Sequence, residues 1–123
     1  MNLYDFLSSE LRNAWIDHSC YQIYVRKQVL RISGKTIRVI CIANIVNPDR
    51  HDNFDIKNTP SSTGKFRELI NEIIEASNEY AYDGVYVEYV HNKFLPTKLI
   101  EYGFENLDFQ NYLKINKTNP FMI

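Results

Sequence analysis

Four groups of residues have the types and spacing to do chemistry. In Ser61-Ser62-Thr63-Gly64-Lys65-Phe66, small residues stand where an apolar helical stripe begins. Backbone N–H groups left open at a helix start, added to the helix dipole, suit a phosphate or pyrophosphate; the plainer alternative is an ordinary N-cap. The P-loop signature is absent, because Thr59 stands where its first glycine belongs and Phe66 where its Ser/Thr belongs. Glu88 and His91 close a segment rich in Val and Tyr, and a carboxylate and an imidazole are the usual general bases. They read equally as a carboxylate on a solvated strand face and a loop residue. Tyr86 and Tyr102 carry phenols able to donate a proton, or they pack a core or cleft. Asp49-Arg50-His51-Asp52 mixes carboxylates and imidazole, but adjacent residues seldom converge on one ion and no second cluster completes a site. No metal is expected, and that loop is left to cover a ligand.

The frame around these groups is one domain. The chain has 123 residues, 45% apolar and 24% charged, enough to bury roughly 60 to 70% of its unfolded surface without staples. Cys20 and Cys41 lack a CxxC or ligand spacing and read as buried reduced thiols. Fourteen basic against fifteen acidic residues give a net charge of -1, so no global field holds a polyanion. Nucleic acid is disfavoured as a partner, although Arg26, Lys27, Arg31, Lys35 and Arg38 scatter cations along one segment. No apolar run approaches the roughly 18 residues of a membrane span, and Met1–Asp5 lacks the layout of a signal peptide. The chain reads as soluble and cytoplasmic, with no membrane partner.

Periodicity supplies the elements that would position the candidate residues. Leu3, Phe6, Leu7, Leu11, Ala14 and Trp15 predict an amphipathic helix over 2–18, with Asn2 as N-cap and His18, given no role, at its end. Tyr21–Ile32 and Thr36–Val46 predict an antiparallel hairpin through Ser33-Gly34-Lys35. The second strand is apolar on both faces and so central, with Ile37, Val39, Cys41, Ala43 and Ile45 sharing one side. After a polar stretch over 47–63, Phe66, Leu69, Ile70, Ile73, Ile74 and Tyr80 trace a helix, and Val85–Val90 a strand. Strand, crossover helix and strand make a parallel pair. A shorter helix from about Asn92 would tolerate Pro96 in its first turn, face the sheet with Leu95, Leu99 and Ile100, and end at a left-handed Gly103. One or two closing strands follow, and Asn116 to Ile123 reads as a loosely held tail.

From about residue 36 to 105 this order of elements resembles the GCN5-related N-acetyltransferases (GNAT), here a small phage-type or degenerate member. Their loop motif Q/R-x-x-G-x-G/A takes the register Ser61-Ser62-Thr63-Gly64-Lys65-Phe66, with Leu69-Ile70 as the aliphatic pair that follows. Their later motif, an Asn after the strand and Gly-Phe about a dozen residues on, takes Asn92 and Gly103-Phe104. The resemblance implies an α/β (α+β) fold: a mixed sheet with an N-terminal helix, an antiparallel hairpin, a strand-helix-strand parallel pair, and a C-terminal helix and strand.

For function the resemblance implies acetyl-CoA in a gap between the two parallel strands. Its pyrophosphate would meet the amides of Ser62, Thr63, Gly64, Lys65 and Phe66, with Asn92 beside it. Its pantetheine arm would run along Ala43, Asn44, Ile45 and Val46, where a backbone N–H polarises the thioester carbonyl while an amine attacks directly. The acceptor is a small-molecule or protein amine, and a second copy is a plausible partner through strand addition. The departures are specific. Ser61 replaces Gln or Arg, Phe66 a small residue, and Leu99 the tyrosine that many of these enzymes use as acid. No carboxylate follows Arg38 on the strand before the loop, and the first strand or two are missing or abbreviated. Glu88, His91 and Tyr102 are therefore the candidates for base and acid. The alternative is a catalytically inactive GNAT-like domain serving as a structural or protein-binding module.

Overall fold

At the N-terminus only Leu3, Phe6 and Leu7 bury a helical face, and helix α1 is correspondingly short, Leu3–Ser8. Asn2 caps it by accepting the N–H of Asp5 at 2.8 Å, and Ser9, extended at φ -92° and ψ 174°, ends it. The expected helix over 2–18 is corrected here, because Asn13–His18 forms strand β1. Ile16 is buried and Trp15 half exposed, an alternation of period two. Lys27 holds the connection down: its Nζ donates to Ser9 O at 2.6 Å and sits 4.9 Å over the Phe6 ring, and burial lowers its pKa. The computed structural model describes residues 1–18, 21–46, 60–88, 90 and 95–116, with 60–63 in backbone only.

The hairpin forms as its alternation predicts. Strands β2 (Tyr21–Ile32) and β3 (Lys35–Val46) pair antiparallel through Ser33 and Gly34, whose φ values of 52° and 80° give the strand twist its matching turn. Helix α2 spans Pro60–Glu79 and returns the chain to strand β4, Gly84–Val87, parallel to β3. Gly84 is obligatory, since a Cβ there would meet Lys114 O at 2.4 Å. Helix α3 (Leu95–Glu101) admits Pro96 in its first turn and closes on Gly103 at φ 94°, with Phe104 N–H donating to Leu99 O at 2.9 Å. Strands β5 (Glu105–Asp108) and β6 (Asn111–Ile115) complete a six-stranded sheet in the order β1-β2-β3-β4-β6-β5, so β3 is central as expected.

Both faces of the sheet are apolar at the centre. All three helices pack on the face carrying Ile23, Val25, Ile40, Ile42, Val85 and Val87, where Phe66, Leu69, Ile70, Ile73 and Leu99 fill the core. The other face buries Val39, Cys41, Tyr86 and Leu113. Two expectations are corrected. Ile100 is 54% exposed rather than facing the sheet, because the short helix presents only Leu95 and Leu99 inward. Asn116 is no loose tail residue: it is buried and donates from Nδ2 to Ser77 Oγ and Tyr82 O at 2.9 and 2.8 Å. Of the polar stretch expected over 47–63, residues 60–63 instead open α2, while 47–59, Cys20 and 117–123 lie outside the described residues. Among the described residues no helix is long and apolar enough to cross a membrane.

Candidate functional site

Two parallel strands that begin paired and then part leave backbone groups facing a gap. Strands β3 and β4 pair from Val39↔Gly84 to Ile42↔Val87, and the Glu88 N–H still donates to Ile42 O at 3.2 Å. Beyond that the second strand turns toward the β5–β6 hairpin, where Val90 N–H donates to Gln110 O at 2.9 Å. β3 continues through Ala43, Asn44, Ile45 and Val46, paired with β2 alone among the described residues. The register passes from Val25↔Ile42 to Tyr24↔Asn44, so Ala43 is an extra residue, a β-bulge at the mouth of the gap. One extra residue inverts the alternation. Ile45, expected on the side of Cys41 and Ala43, packs instead on the helix-side core, and Asn44 is exposed on the opposite face beside Tyr24.

On the helix side, the first turns of α2 reach the same end of β3, since Phe66 packs on Tyr21, whose neighbour Gln22 pairs with Val46. Helix geometry commits the amides from Thr63 onward to intrahelical carbonyls and leaves those of Ser61 and Ser62 without an intrahelical partner. Among the described residues, a Cβ at Gly64 would meet nothing within 4 Å. Phe66 is fully buried between Tyr21 and Tyr102, its ring 6.1 Å from each. The Tyr102 hydroxyl is buried and has no hydrogen-bond partner among the described residues, while the Arg67 guanidinium stands 5.7 Å over its ring. A phenol orphaned in this way is costly unless something meets it.

The opposite face carries a different set. Arg26 Nη2 pairs with Glu88 Oε1 at 3.0 Å, and the carboxyl side chain is only 12% exposed. The pair spans Cys41, the residue opposite Arg26 on β3. Burial first, then the Glu88 charge, pushes the Cys41 thiol up to about 12. Next to this pair, the Trp15 and Tyr24 rings pack tilted at 50° with centroids 5.2 Å apart, and Arg26 lies 5.7 Å from the Tyr24 ring.

No family model and no curated protein matches the chain. Solved structures do. A mutant AtaT toxin bound to the C-terminus of the antitoxin AtaR and acetyl-CoA superposes with a TM-score of 0.55 at 13% identity, over 84% of this chain and 62% of that one. The KacTA–DNA complex gives 0.54 at 10% identity, over 84% and 62%. AtaT complexed with acetyl-methionyl-tRNAfMet gives 0.54 at 12% identity, over 84% and 66%. The fold is GNAT-like. The chain spans about 62 to 66% of the length of these proteins, and at such identities the likeness is one of fold.

On this GNAT-like frame, Asn44, Ile45, Val46 and Glu88 stand along the parting strands, and Gly64 and Lys65 are exposed on the first turns of α2. Phe66 and Tyr102 lie together, their rings 6.1 Å apart. Ser62 and Thr63 are described in backbone only, and His91 and Asn92 lie outside the described residues. Tyr86 is a core residue of the second face. His18 ends β1 with Nε2 against the Glu72 carboxylate. Arg26, Cys41, Trp15 and Tyr24 enter the site unanticipated, since only the β1–β2–β3 register brings them to Glu88 and Asn44. Among the described residues no cluster of His, Cys, Asp and Glu could hold a metal.

Among the described residues, the Tyr102 phenol, the Ser61 and Ser62 amides and the gap-side N–H groups of β3 are donors without an acceptor shown. That donor set fits a ligand with a carbonyl, a sulfur and phosphates, as acetyl-CoA has.

Proposed function

We propose that the chain is an acyltransferase that moves an acetyl group from acetyl-CoA to an amine acceptor by direct attack. The observation that carries this reading is the parting of β3 from β4 beyond Ile42 and Val87, with the bulge at Ala43 and the first turns of α2 reaching the same end of β3. AtaT, with the same fold, is bound to acetyl-CoA in one solved structure. Acetyl-CoA supplies a thioester: the acceptor nitrogen forms a bond to the carbonyl carbon, the C–S bond breaks, and the proton lost by nitrogen is balanced by one gained by the departing thiolate.

The chain's own residues have distinct parts. Gap-side N–H groups along Ala43–Val46 stabilise negative charge on the carbonyl oxygen. The amides at the start of α2, with Lys65 and Asn92, hold the pyrophosphate. Glu88, its carboxylate oriented by Arg26, takes a proton from the acceptor ammonium, directly or through His91. The Tyr102 hydroxyl, free of any other partner among the described residues, donates toward the thiolate. Cys41 forms no acyl intermediate, because a thiol pushed up to about 12 is protonated at neutral pH.

One observation favours a second reading, a GNAT-like domain kept as a structural or protein-binding module: Leu99, where the family tyrosine would stand, is fully buried in the core. The test is release of free CoA thiol from acetyl-CoA in the presence of a panel of primary amines. The acyltransferase reading expects amine-dependent release that Glu88→Gln and Tyr102→Phe each reduce. Release no faster than without protein, across the panel, favours the module.

A further inference from the structure

We propose that the sheet face beside the gap is the acceptor subsite, and that it takes a primary amine tethered to a flat aromatic ring, with the ring against Trp15 and Tyr24 and the amine at the gap. This rests on the acyltransferase reading and names its substrate class. The row is set by register: Trp15 on β1 is opposite Tyr24 on β2, and Tyr24 is opposite Asn44 on β3, the residue turned to this face by the bulge.

Trp15 is 50% exposed although Ile16 next to it is fully buried, so strand alternation holds the indole out on the open face. It is not left loose there. Its ring stands 5.2 Å from Tyr24 at an interplanar angle of 50°, and the Arg26 guanidinium, tied to Glu88, lies 5.7 Å from the Tyr24 ring. The result is an oriented pair of π faces ending at an exposed amide, Asn44. Neighbouring strands lie about 4.8 Å apart, so Tyr24 is roughly 5 Å and Trp15 roughly 10 Å from β3, and a ring lying on them needs a linker of about two to four atoms to bring its nitrogen to the gap.

The amine end of the molecule comes from the acyltransferase reading and not from a free carboxylate: Glu88 is paired with Arg26 at 3.0 Å, and Asp17, on the strand face of Trp15, is paired with the N-terminal ammonium at 3.5 Å. Flat rings gain from stacking and edge contacts that aliphatic groups of equal area lack, enough for about a fivefold to tenfold difference in affinity.

Trp15 is the only tryptophan in the chain, so its fluorescence reports on this face alone. The experiment titrates the whole protein with 2-phenylethylamine and with 2-cyclohexylethylamine, the same length and nearly the same apolar area without the π system, while calorimetry follows acetyl-CoA in the same preparation. We expect a saturable change in Trp15 emission with the aromatic amine, about fivefold to tenfold weaker binding of the cyclohexyl analogue, and a similar loss for the aromatic amine in Tyr24→Leu. Equal affinity for the two amines, or no saturable change in protein that binds acetyl-CoA, overturns the proposal and leaves the acyltransferase reading intact. A Trp15 response in protein that does not bind acetyl-CoA keeps the ring site but removes its role as acceptor subsite, and the acyltransferase reading falls with it.

Discussion

Replacing Tyr102 by phenylalanine should make the protein more stable and less active. The ring contacts survive, since Phe66 at 6.1 Å and the Arg67 guanidinium at 5.7 Å touch the ring and not the oxygen. What is removed is a buried hydroxyl with no partner among the described residues. An unsatisfied group of this kind costs about 1 to 3 kcal/mol, so Tyr102→Phe should gain about 1 kcal/mol, or roughly 4 °C in Tm for a domain of this size. Losing a positioned proton donor should lower turnover by about 10²-fold or more. The assays are thermal unfolding of the free protein and CoA-thiol release at saturating acetyl-CoA. Opposite movement of the two is the signature of a group held for a ligand rather than for the fold. A Tyr102→Phe variant that is destabilised and turns over at the wild-type rate would refute both halves of the argument.

Other perturbations follow from the same geometry. Phe66→Ala removes the central ring of the Tyr21–Phe66–Tyr102 row and should cost about 3 to 5 kcal/mol in urea unfolding; a cost below 1 kcal/mol would mean that the row is not core. Gly84→Ala forces a Cβ against the Lys114 carbonyl, 2.4 Å away, and should destabilise by at least about 1 to 3 kcal/mol, with an unchanged Tm contradicting the close strand approach. The Cys41 thiol rises from 9.0 to about 12 on folding. Its folded form keeps a proton that the unfolded chain releases, so its contribution is complete below pH 9, declines as pH rises toward about 12, and is gone above it. Lys27, whose pKa is lowered, works in the opposite sense, so the check is the difference between wild type and Cys41→Ala: wild type should lose stability faster across that alkaline window, and parallel curves would count against a buried thiol.

The parts of the fold that were legible in the sequence are those where one period repeats without competition. The Tyr21–Ile32 and Thr36–Val46 alternation and the Phe66–Ile73 stripe are of this kind, and the sheet and α2 follow from them. The N-terminal region misleads because Leu11, Ala14 and Trp15 fall on helical spacing by coincidence; Leu11 and Trp15 are exposed, and pairing with β2, a tertiary contact, makes the segment a strand. The bulge at Ala43 changes which face Ile45 and Asn44 present, and nothing local to Cys41-Ile42-Ala43-Asn44 signals it, because a bulge is a property of two strands. Arg26 and Glu88 meet only through the register of β2, β3 and β4. Tyr102 could be named as a phenol near the expected cleft, but that its hydroxyl lacks a partner depends on packing around Phe66 that no spacing rule contains.

The most direct test of the central claim is calorimetric titration of the protein with acetyl-CoA, wild type beside Gly64→Asp. Among the described residues nothing lies within 4 Å of a Cβ at Gly64, so the variant should fold as well as the wild type. The account predicts one acetyl-CoA bound per chain with a micromolar Kd in the wild type, and affinity lowered about tenfold or more by the added negative charge in the variant. No binding at millimolar acetyl-CoA, or equal affinity in a folded Gly64→Asp, would contradict it.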